Sequence, residues 1–397
     1  MTHEGILAGQ RQATLERMGS QERVLVVQDT TSFDFSHHPG AVGMGPLENA
    51  YCRGFLTHTS LAVSTEGVPL GVLEQQVWVR LDSQTGKRQR RHETAFEDKE
   101  SYKWVEGLPA VPHGSTEPQW VTVCDREAHI YEFLDELFER GMDFIVRATQ
   151  GRSLTGAGEA VFAAVARQPV QAAYALALKR RPEREARQAQ VELRFGTVTL
   201  QRPQRAKRAR ATLTLQVVDV FEPQPPAGEE AVHWLLLTSL PVETVPQAQQ
   251  VVRWYSYRWL IERFHYVLKS GCKLEERQLR EQIRLERLLA VFSLVAWNLL
   301  WLTYQARQTP ELPCSVALRP VEWQALYVFV NHSQRLPSTV PTLHQAVRWI
   351  GQLGGFLGRK GDGEPGVKVL WRGWTRLQDL VEMWSILHPP AKDVGNA

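Results

Sequence analysis

YSYRWLIERFHYVLKSG, running from Tyr255 to Gly271, carries five polar side chains at helical intervals: Tyr255, Arg258, Glu262, His265 and Lys269. Wound as a single helix at about 100° per residue, they share an arc of about 80°. The other positions on and just before this stretch are largely apolar or aromatic, among them Val251, Val252, Trp254, Trp259, Leu260, Ile261, Phe264, Val267 and Leu268. A helix wet along one stripe and apolar elsewhere lines a cleft. One acid set among cations and a phenol suits a site that holds a metal and a phosphate together. A solvated face knitted by i,i+4 ion pairs is the plainer alternative.

Upstream, RVLVVQ (Arg23 to Gln28) is the β-branched apolar run expected of a strand covered on both faces, and it ends at Asp29. Strand candidates follow around Gly54 to Ser64 and Gly71 to Leu81, then a polar, basic connection from Asp82 to Lys103. WVTVC (Trp120 to Cys124) is a short strand ending at Asp125. Ile130, Phe133, Leu134 and Leu137 then recur at helical spacing, and FIVRA (Phe144 to Ala148) is a further strand. Strands alternating with a crossover helix predict a mixed α/β core.

Between Gln150 and Leu240 the pattern changes to period-two stretches, Val191 to Leu200, Ala211 to Val220 and Ala231 to Leu237. The basic segments KRRPEREAR and RPQRAKRAR lie between them. This is a β-rich insertion with cationic edges, suited to salt-sensitive phosphate contacts. A strongly apolar helix is expected over Glu286 to Leu302. After the break at Thr309-Pro310 comes a mainly helical unit containing the loop RKGDGEPG (Arg359 to Gly366) and a polar tail past His388. The expected division is a helical remnant at 1–22, the core at 23–150, the insertion at 151–238, the rest of the core with the striped helix at 239–306, and the helical end at 307–397.

A chain of 397 residues allows about two to four such units. With 43% hydrophobic and 22% charged residues it has an ordinary globular composition. The 46 bases nearly balance 43 acids, so net charge permits a nucleic-acid partner without arguing for one. Four scattered cysteines make neither a zinc pair nor a disulfide framework and fit a reducing cytoplasm. No secretion signal and no run of about 20 apolar residues is found, so no membrane partner is expected.

Asp29 and Asp125 each fall at the carboxyl end of a strand, where sites assemble in α/β sheets, and Glu262 lies on the striped helix. Three acids brought together repel unless a cation neutralises them, and all-oxygen ligation favours Mg²⁺ or Mn²⁺ over zinc. Two such ions, about 3.5–4 Å apart, activate the attacking oxygen and stabilise the leaving oxygen of a phosphodiester. Arg258, Lys269 and Arg147 would supply the remaining positive charge. His37-His38 is a weaker metal candidate, lying in a loop without a third ligand.

Four blocks make a specific resemblance. QDTT (Gln28 to Thr31), CDREA (Cys124 to Ala128), HWLLLTSLPVE (His233 to Glu243) and YSYRWLIERFHYVLKSG together resemble, in order, the DDE transposases of insertion-sequence family four, which includes the transposon-five enzyme. The resemblance spans roughly residues 20 to 385. It implies a ribonuclease H-like catalytic core interrupted by a β-rich insertion, with the RKGDGEPG loop in a C-terminal dimerisation region. It implies two Mg²⁺ ions, or Mn²⁺ in their place, on Asp29, Asp125 and Glu262. It gives Tyr255, Arg258 and Lys269 to the phosphates of the transposon end, Arg147 to the same region, and Trp234 to a base flipped during hairpin formation. His265 and Thr30 are supporting candidates. The implied partners are transposon-end and target DNA and a second copy of the chain, on the bacterial nucleoid.

The chain departs from the family pattern in carrying His129 where an acid is usual and Tyr266 where a lysine is common. Only 28 residues precede Asp29, which leaves no room for the family's end-reading domain. That shortness raises a second expectation: a silent, shortened form that pairs with full-length transposase as an inhibitor, or a remnant.

Overall fold

The computed structural model describes residues 1–49, 51–82, 94–109, 118–149, 161–178, 186–204 and 206–389. Helix α1 (His3–Gly19) precedes β1 (Arg23–Asp34), the spine of the sheet. Val24 to Gln28 are fully buried, as the apolar run requires. β1 does not stop at Asp29. Strand β3 (Arg53–Ser64), which comes after the short β2 (Gly45–Pro46), pairs antiparallel with it from Val24↔Ser64 to Asp34↔Gly54. That partner satisfies the β1 backbone well past the end of the apolar run. β4 (Pro69–Trp78) lies on the far side of β3.

The helical turn α2 (Lys103–Glu106) leads to β5 (Gln119–Cys124), which pairs in parallel with β1. Helix α3 (Tyr131–Glu139) crosses over to β6 (Asp143–Arg147), parallel to β5, the connection that parallel neighbours need. A short helix, α4 (Val161–Ala166), precedes β7 (Ala172–Leu178), β8 (Arg187–Gln201), β9 (Thr212–Phe221) and β10 (His233–Thr238). β7 is an addition to the expected strands: AAYALAL puts alanine on alternate positions of an edge strand, so its period-two signal is faint. β10 pairs antiparallel with β6, so these strands continue the sheet in the order β2-β3-β1-β5-β6-β10-β9-β8-β7. Most of KRRPEREAR, Arg205 within RPQRAKRAR, part of the Asp82 to Lys103 connection and the tail from residue 390 lie outside the described residues.

Each face of the sheet buries its own core. Met18, Trp104, Phe133, Leu137 and Phe144 fill one. Leu25, Val27, Val123, Ile145 and Leu236 meet the later helices on the other. Those helices are α5 (Val245–Ser256), α6 (Trp259–Tyr266), α7 (Gln282–Gln308), α8 (Pro320–Asn331), α9 (Leu343–Leu353) and α10 (Val367–Leu387). The apolar helix is longer than the sequence suggests, and α7 is long and apolar enough to cross a membrane. Here it packs against α1, β4, α6 and α9. In the C-terminal unit α9 and α10 touch backbone to backbone: a Cβ on Gly373 would lie 1.8 Å from the Ile350 carbonyl oxygen. Only glycine permits that approach.

Candidate active site

Strand register sets two of the acids side by side. β1 and β5 stay in step through Val27↔Val123, and two residues further along each chain stand Asp29 and Asp125. Side chains alternate across a sheet, so both acids share the face of Val27 and Val123, the face that α5, α6 and α7 cover. The β5–β6 register, Cys124↔Val146, carries Arg147 into the same row. β10 pairs Leu236 with Arg147 and brings Trp234 to that face two residues away.

The striped segment is not one uniform helix. Hydrogen bonds tighten to i→i+3 at the end of α5 and the start of α6: Tyr257 N to Trp254 O, Arg258 N to Tyr255 O, Leu260 N to Tyr257 O and Ile261 N to Arg258 O. After α6 the coil widens into a π turn, Val267–Gly271, closed by Cys272 N donating to Val267 O at 2.7 Å. Overwinding and underwinding act in opposite senses, and such local departures recur where a helix must aim side chains at a site.

Arg258 is the hub. It is the i,i+4 partner of Glu262, as the plain surface reading expects, with Nη2 donating to Glu262 Oε1. Yet its Nη1 also donates to Asp29 Oδ2 at 3.4 Å, across 229 positions of sequence. Asp29 Oδ1 accepts from Thr30 N at 2.8 Å. Burial pushes the Asp29 carboxyl up to about 7. Arg258 opposes that shift, and the charges of Asp125 and Glu262 add to it. Burial weakens the Arg258 charge, but Tyr255, Asp29, Glu262 and Asp125 outweigh it and hold the guanidinium above its ordinary pKa. The three acids therefore form one electrostatic unit around a buried cation.

That unit fits a hard divalent cation: the donors are all carboxylate oxygens, and an internal guanidinium carries the compensating charge. Among the described residues no three His, Cys, Asp or Glu side chains are already gathered closely enough to hold an ion. Arg258 stands between Asp29 and Glu262 in their place. Asp125 Oδ1 also caps the turn Arg126–Ala128, accepting from Glu127 N at 2.8 Å, so this acid has a structural duty as well.

Tyr255 is 4% exposed, its hydroxyl within hydrogen-bonding reach of Arg147, and its ring stands 5.2 Å from Trp234, edge to face. Burial raises the Tyr255 pKa, against the pull of Arg258 and Arg147. Arg147 Nη2 donates to His233 O at 2.8 Å, and burial lowers its pKa. His233 itself faces away, into a cavity of about 520 Å³ under α4 with Arg194 and Asp219. One further expectation needs correcting. His265 is buried rather than wet, its Nε2 without a partner, and burial with the nearby Lys269 and Arg258 pushes it down to about 3. The cause is the packing of α6 on the sheet, which covers His265 near His58 while Glu262 and Lys269 stay about a third exposed. Lys269 Nζ lies 4.0 Å from Glu275 and 5.6 Å from the Phe33 ring. His37 is exposed and His38 stacks edge-on against Phe35.

One feature escapes the sequence. His58, fully buried on β3, bridges the residues flanking Asp29: Nδ1 to Thr30 Oγ1 at 2.9 Å and Nε2 to Gln28 Oε1 at 3.1 Å. A histidine inside FLTHTSLAVS is the available signal. His129, the departure from the family pattern, is buried and accepts from Thr149 N at 3.0 Å, tying the loop after β6 to the turn after Asp125.

Two family models match the chain. The transposase DDE domain matches residues 83–299, which include Asp125 and Glu262 and begin after Asp29. The transposase Tn5 dimerisation domain matches residues 294–386, covering most of α7, all of α8 and α9 and nearly all of α10. The α/β sheet with a ribonuclease H-like DDE domain, and the helical C-terminus behind it, agree with the expected fold. DDE transposases act on DNA with divalent metal ions, and this chain, matched over more than half its length, belongs to the DDE transposases of the Tn5 type.

Proposed function

We propose that the chain cuts and joins DNA at transposon ends through Asp29, Asp125 and Glu262, with two Mg²⁺ ions as cofactor. The observation that carries this reading is the Arg258 guanidinium bonded to both Asp29 and Glu262, with Asp125 two residues beyond the last β1–β5 pair. The three carboxylates would hold the ions. When bound, divalent ions neutralise the acids, acidify the attacking hydroxyl and stabilise the leaving oxygen. Arg258 and Tyr255 would then face the phosphate flanking the cut, Arg258 exchanging its carboxylate partners for phosphate oxygens. Arg147 holds Tyr255 in place, and Lys269 sits further along the same groove. Phosphoryl transfer asks little more of a protein than this positioning and charge.

Trp234, packed edge-on against Tyr255, is offered as the surface on which a flipped base stacks during hairpin formation and opening. The C-terminal helices would pair two copies at synapsis. Met383, Ile386 and Leu387 are exposed at the end of α10 and suit such a contact. The test is Mg²⁺-dependent cleavage of hairpin or end-containing DNA by wild type and by Glu262→Ala. Activity confined to wild type supports the assignment, and equal activity removes it.

A further inference from the structure

Trp259, Arg263 and Tyr266 stand at i, i+4 and i+7 of α6 and its flank, one neighbouring strip away from Arg258 and Glu262. The Arg263 guanidinium lies 5.2 Å from the Trp259 ring and 4.8 Å from the Tyr266 ring. Lys368, exposed at the start of α10, places its ammonium 5.0 Å over the same Tyr266 ring. Arg307, exposed near the end of α7, lies 5.6 Å over Tyr304. The charges of Arg263 and Arg307 both act on the Tyr304 hydroxyl, which places the two cations in one neighbourhood.

We propose that Arg263, Lys368 and Arg307, cradled on Trp259, Tyr266 and Tyr304, form a phosphate-binding strip that carries the backbone of duplex DNA past the acidic site. None of the three cations forms an ion pair among the described residues, whereas Arg11, Arg53, Arg80, Arg187 and Arg210 all do. Three like charges brought together from three helices repel. Aromatic faces hold them without neutralising them, which leaves their donors for an anion. The strip joins α6, which bears Glu262, to α10 of the C-terminal unit, so a polyanion running along it crosses both. Phosphate contacts of this kind are independent of sequence. The choice of DNA as the polyanion rests on the function proposed above.

The experiment is equilibrium binding of a duplex lacking any transposon end, measured by fluorescence anisotropy across a salt series. Each phosphate contact contributes about 0.9 to the log–log salt slope. Lys368→Met, on an exposed side chain that folding does not need, is expected to lower the slope by about that amount. The triple variant Arg263→Met, Lys368→Met and Arg307→Met is expected to lower it by about three times as much, and Lys368→Arg to leave it at the wild-type value. A wild-type slope in Lys368→Met or in the triple variant overturns the strip. Glu262→Ala run in parallel separates the two readings. An unchanged slope with lost cleavage leaves both standing, whereas retained cleavage removes the proposed chemistry without touching the strip.

Discussion

Arg258 reaches Asp29 Oδ2 at 3.4 Å while bonding Glu262 one helical turn away, so a single guanidinium balances two acids that lie 233 positions apart in sequence. These two bonds set the charge balance among the acids, and the balance fails if the cation is removed.

Arg258→Gln leaves Asp29, Asp125 and Glu262 facing one another without a counterion. Without metal, the variant is expected to lose about 3 kcal/mol of stability, the cost of stranding buried charge. Mg²⁺ should restore much of it by binding the folded state. Thermal melts with and without Mg²⁺ check this: the rise should be larger in the variant than in wild type. An equal response would show that the acids do not share a cation site.

His265 gives a pH dependence of defined sign. Burial, then Lys269 and Arg258, hold it at about 3, below the 6.5 of an exposed imidazole. The unfolded chain therefore takes up the extra proton, and stability falls as pH drops below 6.5. The buried His58, also shifted well down, acts the same way. Urea midpoints at pH 7.5 and 5.5 should show His265→Gln losing about 1.4 kcal/mol less than wild type over that interval.

Trp234 rests against Tyr255 at 5.2 Å and is half-buried at the edge of the site. If a base stacks there, Trp234→Ala should lower hairpin formation by about 5- to 150-fold, the range that stacking of about 1–3 kcal/mol implies. The first nick should fall much less. Gel separation of nicked and hairpin products distinguishes this from a packing residue, whose loss would lower both alike.

Gly373→Ala tests the C-terminal unit. A methyl group 1.8 Å from the Ile350 carbonyl oxygen forces α9 and α10 apart, and overpacking of this kind costs about 2–3 kcal/mol. Size-exclusion chromatography of the DNA-bound protein should show weakened pairing of copies, while single-end cleavage per chain is retained.

Much of this arrangement is legible in the residues. RVLVVQ and WVTVC announce buried strands by their β-branched runs, and each leads at once into an acid. Parallel register then does what sequence alone cannot, setting Asp29 beside Asp125. The extension of β1 to Asp34 is hidden because a hairpin partner, rather than local hydrophobicity, maintains it. Helical periodicity correctly groups Arg258 with Glu262, but it cannot reveal that the sheet buries His265. That histidine therefore reads as wet. The His58 clamp is invisible for the same reason: it depends on the β1–β3 register, which opposes Thr30 to His58.

The proposed mechanism requires Asp29, Asp125 and Glu262 to gather around divalent ions in place of Arg258. Anomalous diffraction from crystals grown with Mn²⁺ tests this most directly. Anomalous peaks are expected within ligand distance of all three carboxylates, about 2.0–2.2 Å, with Arg258 turned away from Asp29. Saturating Mn²⁺ with no peak at these residues, and the Arg258 bridge intact, would contradict it.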